Sequence, residues 1–433
     1  MKKNGFTLVE ITVCVVLLVT IFLLVVPKVN TMINNKKKNA YNSLISTVKD
    51  AAQAYVYLNV NIVDDAIESQ GYYEVSIRTL QENELLENKL ENPLTGKNIP
   101  STSIVKIIKN NEEYIYKFSL DYQYLLEHII DLYSSEETRI SNGLKKDNTE
   151  DKNIRYYGSD PNNYVSFNNE LWRIIGVFGN NVKLVRKDSL GSLSWDSSES
   201  SINGGVGINQ WGESKDADGN EYAGADLQVY LNKMYYGGTS VTCYGGTKNS
   251  TTTCPTNTLD NTAKALIDNH TWNTGAPNHS TLYNSTTQSY DTVEFYKAER
   301  GTVNGKICSS GTYCNDTVTR TTEWTGYIGL PYVTDYAYAS SENDCNTKID
   351  QSSTYKCKNN NWMHRSTSTW YMSPYAIPYN ATSVWYVYGD GSSGLSLAAD
   401  ALSAFPTIYL KSNVLIDSGK GTSSDPYILK AGL

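Results

Sequence analysis

Basic residues are in short supply in this chain. Its 433 residues carry 37 Lys and Arg against 45 Asp and Glu, a net charge of -8. That balance argues against direct nucleic-acid binding, which needs clustered cations to displace counterions. Catalytic signatures are missing as well, since no GxSxG, HExxH or phosphate-binding glycine loop occurs. His128, His270, His279 and His364 do not cluster with the cysteines, and no cysteine pair has CxxC spacing. No zinc site and no cofactor are therefore expected. Against these gaps stand 34 tyrosines, which with many Asn, Ser and Thr describe a polar surface with aromatic anchors.

Cysteine is absent between Cys14 and Cys243. The remaining six fall as Cys243/Cys254, Cys308/Cys314 and Cys345/Cys357. Spacing alone leaves their connectivity open, with local pairing the simplest arrangement. Each short crosslink of this kind contributes roughly 2–3 kcal/mol, and such bonds imply an oxidising compartment.

Long apolar runs are also rare, apart from one between Phe6 and Val26 whose sole charge is Glu10. As a helix it covers roughly 30 Å, the thickness of a bilayer core. A cleaved secretory signal would end in a small-x-small site, whereas this run ends in Val25-Val26-Pro27-Lys28. A plain anchor leaves Glu10 unexplained, because burying an unpaired carboxylate is costly.

The segment MKKNG|FTLVE resembles the leader and first mature residues of type IV prepilins and pseudopilins. The resemblance implies cleavage between Gly5 and Phe6 by a prepilin peptidase, followed by methylation of Phe6. Glu10 would then meet the α-amino group of Phe6 on a neighbouring pilin subunit. Pro27 matches the family's helix-kinking proline. It further implies a single-pass membrane protein before assembly, held in the inner or cytoplasmic membrane, and afterwards a bacterial extracellular filament.

The expected class is α+β. A long N-terminal pilin helix packs on a small antiparallel sheet, followed by a β-rich, loop-rich, disulfide-stapled domain. The boundaries are 1–5 leader, 6–28 membrane or filament-core helix, 29–125 pilin-like domain, 126–154 connector and 155–433 head. Tyr41, Leu44, Ile45, Val48, Ala52 and Tyr55 recur at helical spacing. Alternation predicts strands at 103–109 and 113–120, then at 164–167, 171–177, 182–186, 407–410 and 414–416. The stretch NGLKKDNTEDKN reads as an exposed tether.

In the head, NNYVSFNNELWRIIGVF and NNWMHRSTSTWYMSPY resemble a module of bacterial surface proteins. That module is similar to C-type-lectin-like and formylglycine-generating-enzyme-like folds. Phe405-Pro406 stands where that module has Arg-Pro. The lectin-like side of the likeness makes Trp362, Trp370, Tyr371, Trp385 and Tyr386 candidates for binding an unidentified glycan or protein. Its enzyme side would use Cys308 and Cys314, but no flanking cation activates them, and no catalytic residue is assigned. Asp216, Asp218 and Asn220 are weak calcium candidates, since the EF-hand glycine and terminal Glu are absent. The expected function is a minor pilin-like subunit displaying an adhesive head. The alternative is a pseudopilin of a secretion or DNA-uptake machine, and third is a formylglycine-generating-like enzyme domain.

Overall fold

The computed structural model describes residues 36, 39–93, 98–110, 113–118, 123–197, 209–215, 221–303, 306–307, 321–350, 356–376 and 382–431. Contacts divide the chain into two compact units, 1–123 and 124–433.

In the first unit, helix α1 (39–58) is followed by α2 (Val60–Gln70). Of the stripe that the spacing predicts, Val48, Ala52 and Tyr55 are buried along α1, together with Ala51 and Val56, while Tyr41, Leu44 and Ile45 are half-buried. Asn59 interrupts the two helices with a non-helical φ of -130°. Gly71 ends α2 at φ 85°, where its N–H donates to the Ile67 carbonyl at 2.8 Å. A residue with a Cβ is strained in that left-handed conformation. Strand β1 (Tyr73–Ser76) leads into α3 (Ile77–Glu82), and β2 (Ile104–Asn110) and β3 (Glu113–Phe118) complete an antiparallel sheet of order β1-β2-β3. Val75, Ile77, Leu80, Val105 and Ile107 meet the buried face of α1 in one core.

The second unit carries two larger sheets. The first runs, in spatial order, Ile328–Gly329, Thr407–Leu410, Asn181–Arg186, Glu170–Phe178, Tyr164–Phe167, Tyr427–Lys430 and Leu415–Ser418. Tyr427–Lys430 pairs in parallel with Tyr164–Phe167, so the end of the chain closes beside an early strand. The second has five strands: Ser192–Ser194, Ala401–Ser403, Thr369–Pro374, Ser383–Val387 and Ser393–Leu397. One continuous core joins them, filled by Trp172, Trp195, Trp211, Trp272, Trp362, Trp370 and Trp385.

Several expectations require correction. Among the described residues no helix is long and apolar enough to cross a membrane. The architecture is dominated by strands in several sheets. The expected class, built on a long N-terminal pilin helix, is overturned on that evidence, and so is the single-pass membrane localisation. The run 6–28 itself, with Phe6, Glu10 and Pro27, lies outside the described residues.

The expected connector 126–154 is an integral part of the second unit. Helix Leu125–Ser134 buries Leu125, Leu126 and Ile129 in its core. The polar stretch behind it is partly inside: Asp147, Thr149 and Asn153 are buried, while Lys146, Asn148, Glu150, Asp151 and Lys152 are exposed. The polarity of the buried three hid this, because they satisfy one another. Asp147 accepts from Thr149 Oγ1 at 2.6 Å and from the Asn153 N–H at 3.2 Å.

Candidate ligand-binding surface and buried ionic cluster

Two of the proposed cysteine pairs are disulfides, Cys243–Cys254 and Cys345–Cys357, with Cα separations of 5.2 and 5.3 Å. Cys308 and Cys314 lie outside the described residues, as do Gly5, Asp216, Asp218 and Asn220.

The five aromatic candidates are core residues. Trp362, Trp370, Tyr371, Trp385 and Tyr386 are all at most 5% exposed. Their indole N–H groups are used internally: Trp362 donates to the Tyr156 carbonyl, Trp370 to Leu193 and Trp385 to Pro277, each at 2.9 Å. Trp385 sits edge-on to Tyr290, Phe295 and Tyr375. With neither an open ring face nor a free indole N–H, these side chains fill the interior.

Of the eight tryptophans, Trp324 alone is only half-buried. It lies on strand Glu323–Gly326, directly opposite Trp272 in an antiparallel pair with His270–Asn273. Two glycines make room for its ring. A Cβ on Gly212 would sit 2.2 Å from Trp324 Cδ1, and one on Gly326 would sit 2.0 Å from Cη2. Trp211 meets the ring edge-on, with centroids 6.2 Å apart. The Trp324 N–H points to the exposed carboxylate of Glu213 at 3.3 Å. Just beyond Gly326, Tyr327 stacks on Tyr236 with centroids 4.0 Å apart and planes 10° from parallel. Tyr236 closes a π-helical turn, Tyr230–Tyr236, a distortion often found at functional sites. Asn232 in that turn accepts from the Tyr327 and Ile328 N–H groups and donates to the Ile328 carbonyl. The result is a half-open aromatic surface with a rigid backbone and a carboxylate at its edge.

A second cluster lies inside the same unit. Arg155 Nε donates to Asp147 at 2.6 Å and its Nη1 to Asp335 at 2.7 Å, while Lys183 Nζ donates to the other oxygen of Asp335 at 2.6 Å. All four side chains are at most 1% exposed. The Tyr332 N–H also donates to Asp335 at 3.0 Å, closing a cap on helix Val333–Tyr338. Burial works to raise the pKa of Asp335, but Lys183 and Arg155 outweigh it and hold the carboxyl below its usual range. For Lys183, burial is the stronger influence and lowers it to about 8 against the pull of Asp335. Nearby Glu299 is fully buried and accepts from both the N–H and the hydroxyl of Thr334. Burial raises its pKa to about 7, against the Thr334 hydrogen bond and Arg300. Enclosed on every side, this cluster organises the interior and offers no open face to a substrate.

Sequence reasoning passed over both features. For Trp324 a signal existed: in Thr322-Glu323-Trp324-Thr325 the indole has polar neighbours on each side, unlike the tryptophans within apolar strands. For the ionic cluster the signal was fainter, namely Lys183 and Arg155 placed inside otherwise inward-facing strands. No protein-family model, no curated protein and no solved structure matches the chain.

Proposed function

We propose that the chain is a minor pilin-like subunit whose second unit binds a ligand, with the surface around Trp324 as the contact. The observation that carries the binding role is that one indole of eight is left half-open beside a carboxylate and a stacked tyrosine pair. An exposed aromatic face stacks on the apolar face of a sugar ring, and an adjacent carboxylate accepts from its hydroxyls. Support for the pilin-like role comes from the residues Gly5, Phe6, Glu10 and Pro27 at the family's spacing.

The test is an array of immobilised oligosaccharides probed with the full chain, its Trp324→Ala variant and its Glu213→Gln variant. The expected result is saturable binding to a subset of glycans. Trp324→Ala should weaken it at least about 10-fold, the equivalent of roughly 1.4 kcal/mol, and Glu213→Gln less. Equal binding by wild type and Trp324→Ala, with both folded by circular dichroism, would place the contact elsewhere.

A further inference from the structure

We propose that two copies of this chain pair through the outer edge of strand β3, Glu113–Phe118, joining their three-stranded sheets into one across a two-fold axis. This goes beyond the ligand-binding reading and rests on the first unit, on residues that the Trp324 surface does not share. Strand β3 hydrogen-bonds to β2 on one side, and among the described residues no strand pairs with its other side. Among those residues, no backbone group of Glu113–Phe118 bonds to a loop or a helix either. Such an edge is a template for a further strand.

Side chains alternate along β3. Tyr114, Tyr116 and Phe118 pack against the core of the first unit, while Glu113, Ile115 and Lys117 are exposed on the opposite face. The edge is held in one shape. Its ladder with β2 runs from Phe118 opposite Val105 to Glu113 opposite Asn110 without a bulge. Tyr114 Oη donates to Asp64 at 2.7 Å, and Lys109 Nζ on β2 donates to the same carboxylate at 3.2 Å, which ties the sheet to α2. Natural edges escape pairing by a bulge, a proline or a lysine. Lys117 by itself fits that purpose, and a lysine on an edge most often serves it. What sets this strand apart is the arrangement of charge about Ile115.

Set antiparallel to itself about Ile115, the strand places Glu113 opposite Lys117 of the partner subunit, and Lys117 opposite Glu113 of the partner subunit. Ile115, 37% exposed in the single chain, meets its own counterpart, and Tyr114 meets Tyr116 of the partner subunit on the core-facing side. Directly opposed residues of an antiparallel pair lie about 4.5–5.5 Å apart, close enough for both ion pairs and both aromatic pairs to form. Neither Glu113 nor Lys117 has an ion-pair partner among the described residues of its own chain, so both are available. Other centres fit worse. About Tyr114 or Tyr116 a charge falls opposite Ile115, and about Glu113 or Lys117 like charges face each other. Charge thus selects a single register. Because one patch meets itself, the contact is isologous and closes at two copies.

Covalent capture in the full chain is the test, and it detects a weak dimer as well as a tight one. On a Cys14→Ser background, Ile115→Cys should give a disulfide-linked dimer on a non-reducing gel, because the two Cα atoms face each other at about 4.5–5.5 Å. Glu113→Cys should give far less, since its own counterpart lies beyond Ile115, about 14 Å away at roughly 3.4 Å per residue. Adding Lys117→Glu to the Ile115→Cys chain sets carboxylate against carboxylate and should slow crosslinking at least about 10-fold. Adding Glu113→Lys as well should restore it, which a merely misfolded variant would not do. No dimer from Ile115→Cys, an equal yield from Glu113→Cys, or crosslinking indifferent to Lys117→Glu would each overturn the proposal.

Discussion

Asp335 takes two cations and a backbone N–H on one buried carboxylate, so removing it strands Arg155 and Lys183 in the core. Breaking a buried ion pair from one side costs about 3–5 kcal/mol, and Asp335→Ala should lower stability by that amount in denaturant titration. Glu299 makes a prediction about pH. Its folded-state pKa, near 7, lies above the ordinary 4.5. Its contribution is therefore complete below about pH 4.5 and is lost as pH rises through about 7, by about 3 kcal/mol in all. The stability difference between wild type and Glu299→Gln, measured from pH 4 to 8, should change over that window. A pH-independent difference would show that folding does not raise the pKa of Glu299. At this scale the sequence was least informative. Residue type said that Trp362, Trp370 and Trp385 are large and aromatic, but which indoles face inward is decided by strand register and by the carbonyls that receive their N–H groups.

Among the elements, hairpins were the most legible. Strands Tyr164–Phe167, Asn181–Arg186 and Thr407–Leu410 fall where alternation places them, since each has a turn signal or a polar break at its end. The polar segment behind Gly143 was opaque for the opposite reason. Its Asp, Thr and Asn side chains pair with each other and with Arg155, and pattern reading takes such residues as solvated. Helix α3 supplies an element-level test. Ser76 caps it by accepting from the Thr79 N–H at 3.0 Å, so Ser76→Ala should destabilise the first unit by about 1 kcal/mol. Ser76→Asp, which keeps an acceptor, should lose far less. If both variants match wild type in thermal unfolding, the cap carries no energy.

As a whole molecule, the chain divides into two units between Gln123 and Tyr124, and both described disulfides lie in the second. Unfolding should accordingly show two transitions, and only one of them should respond to reduction. Loss of each crosslink is worth roughly 3 kcal/mol in the chain-entropy account. A single transition, or one in which both steps shift on reduction, would contradict the division. The two-unit plan was partly legible, because a helix-then-hairpin pattern gives way to a β-rich, cysteine-bearing half. The boundary was misjudged because helix Leu125–Ser134 looks like a linker until its buried side, Leu125, Leu126 and Ile129, is seen in the second core. The pilin-like role rests on the segment around Gly5, Phe6 and Glu10, and processing tests it most directly. The full chain is to be co-expressed with a prepilin peptidase and its N-terminus sequenced. The account predicts a mature chain that begins at Phe6 with a methylated amine, and no cleavage when Gly5 is changed to Leu. A chain that still begins at Met1 in the presence of active peptidase would contradict it.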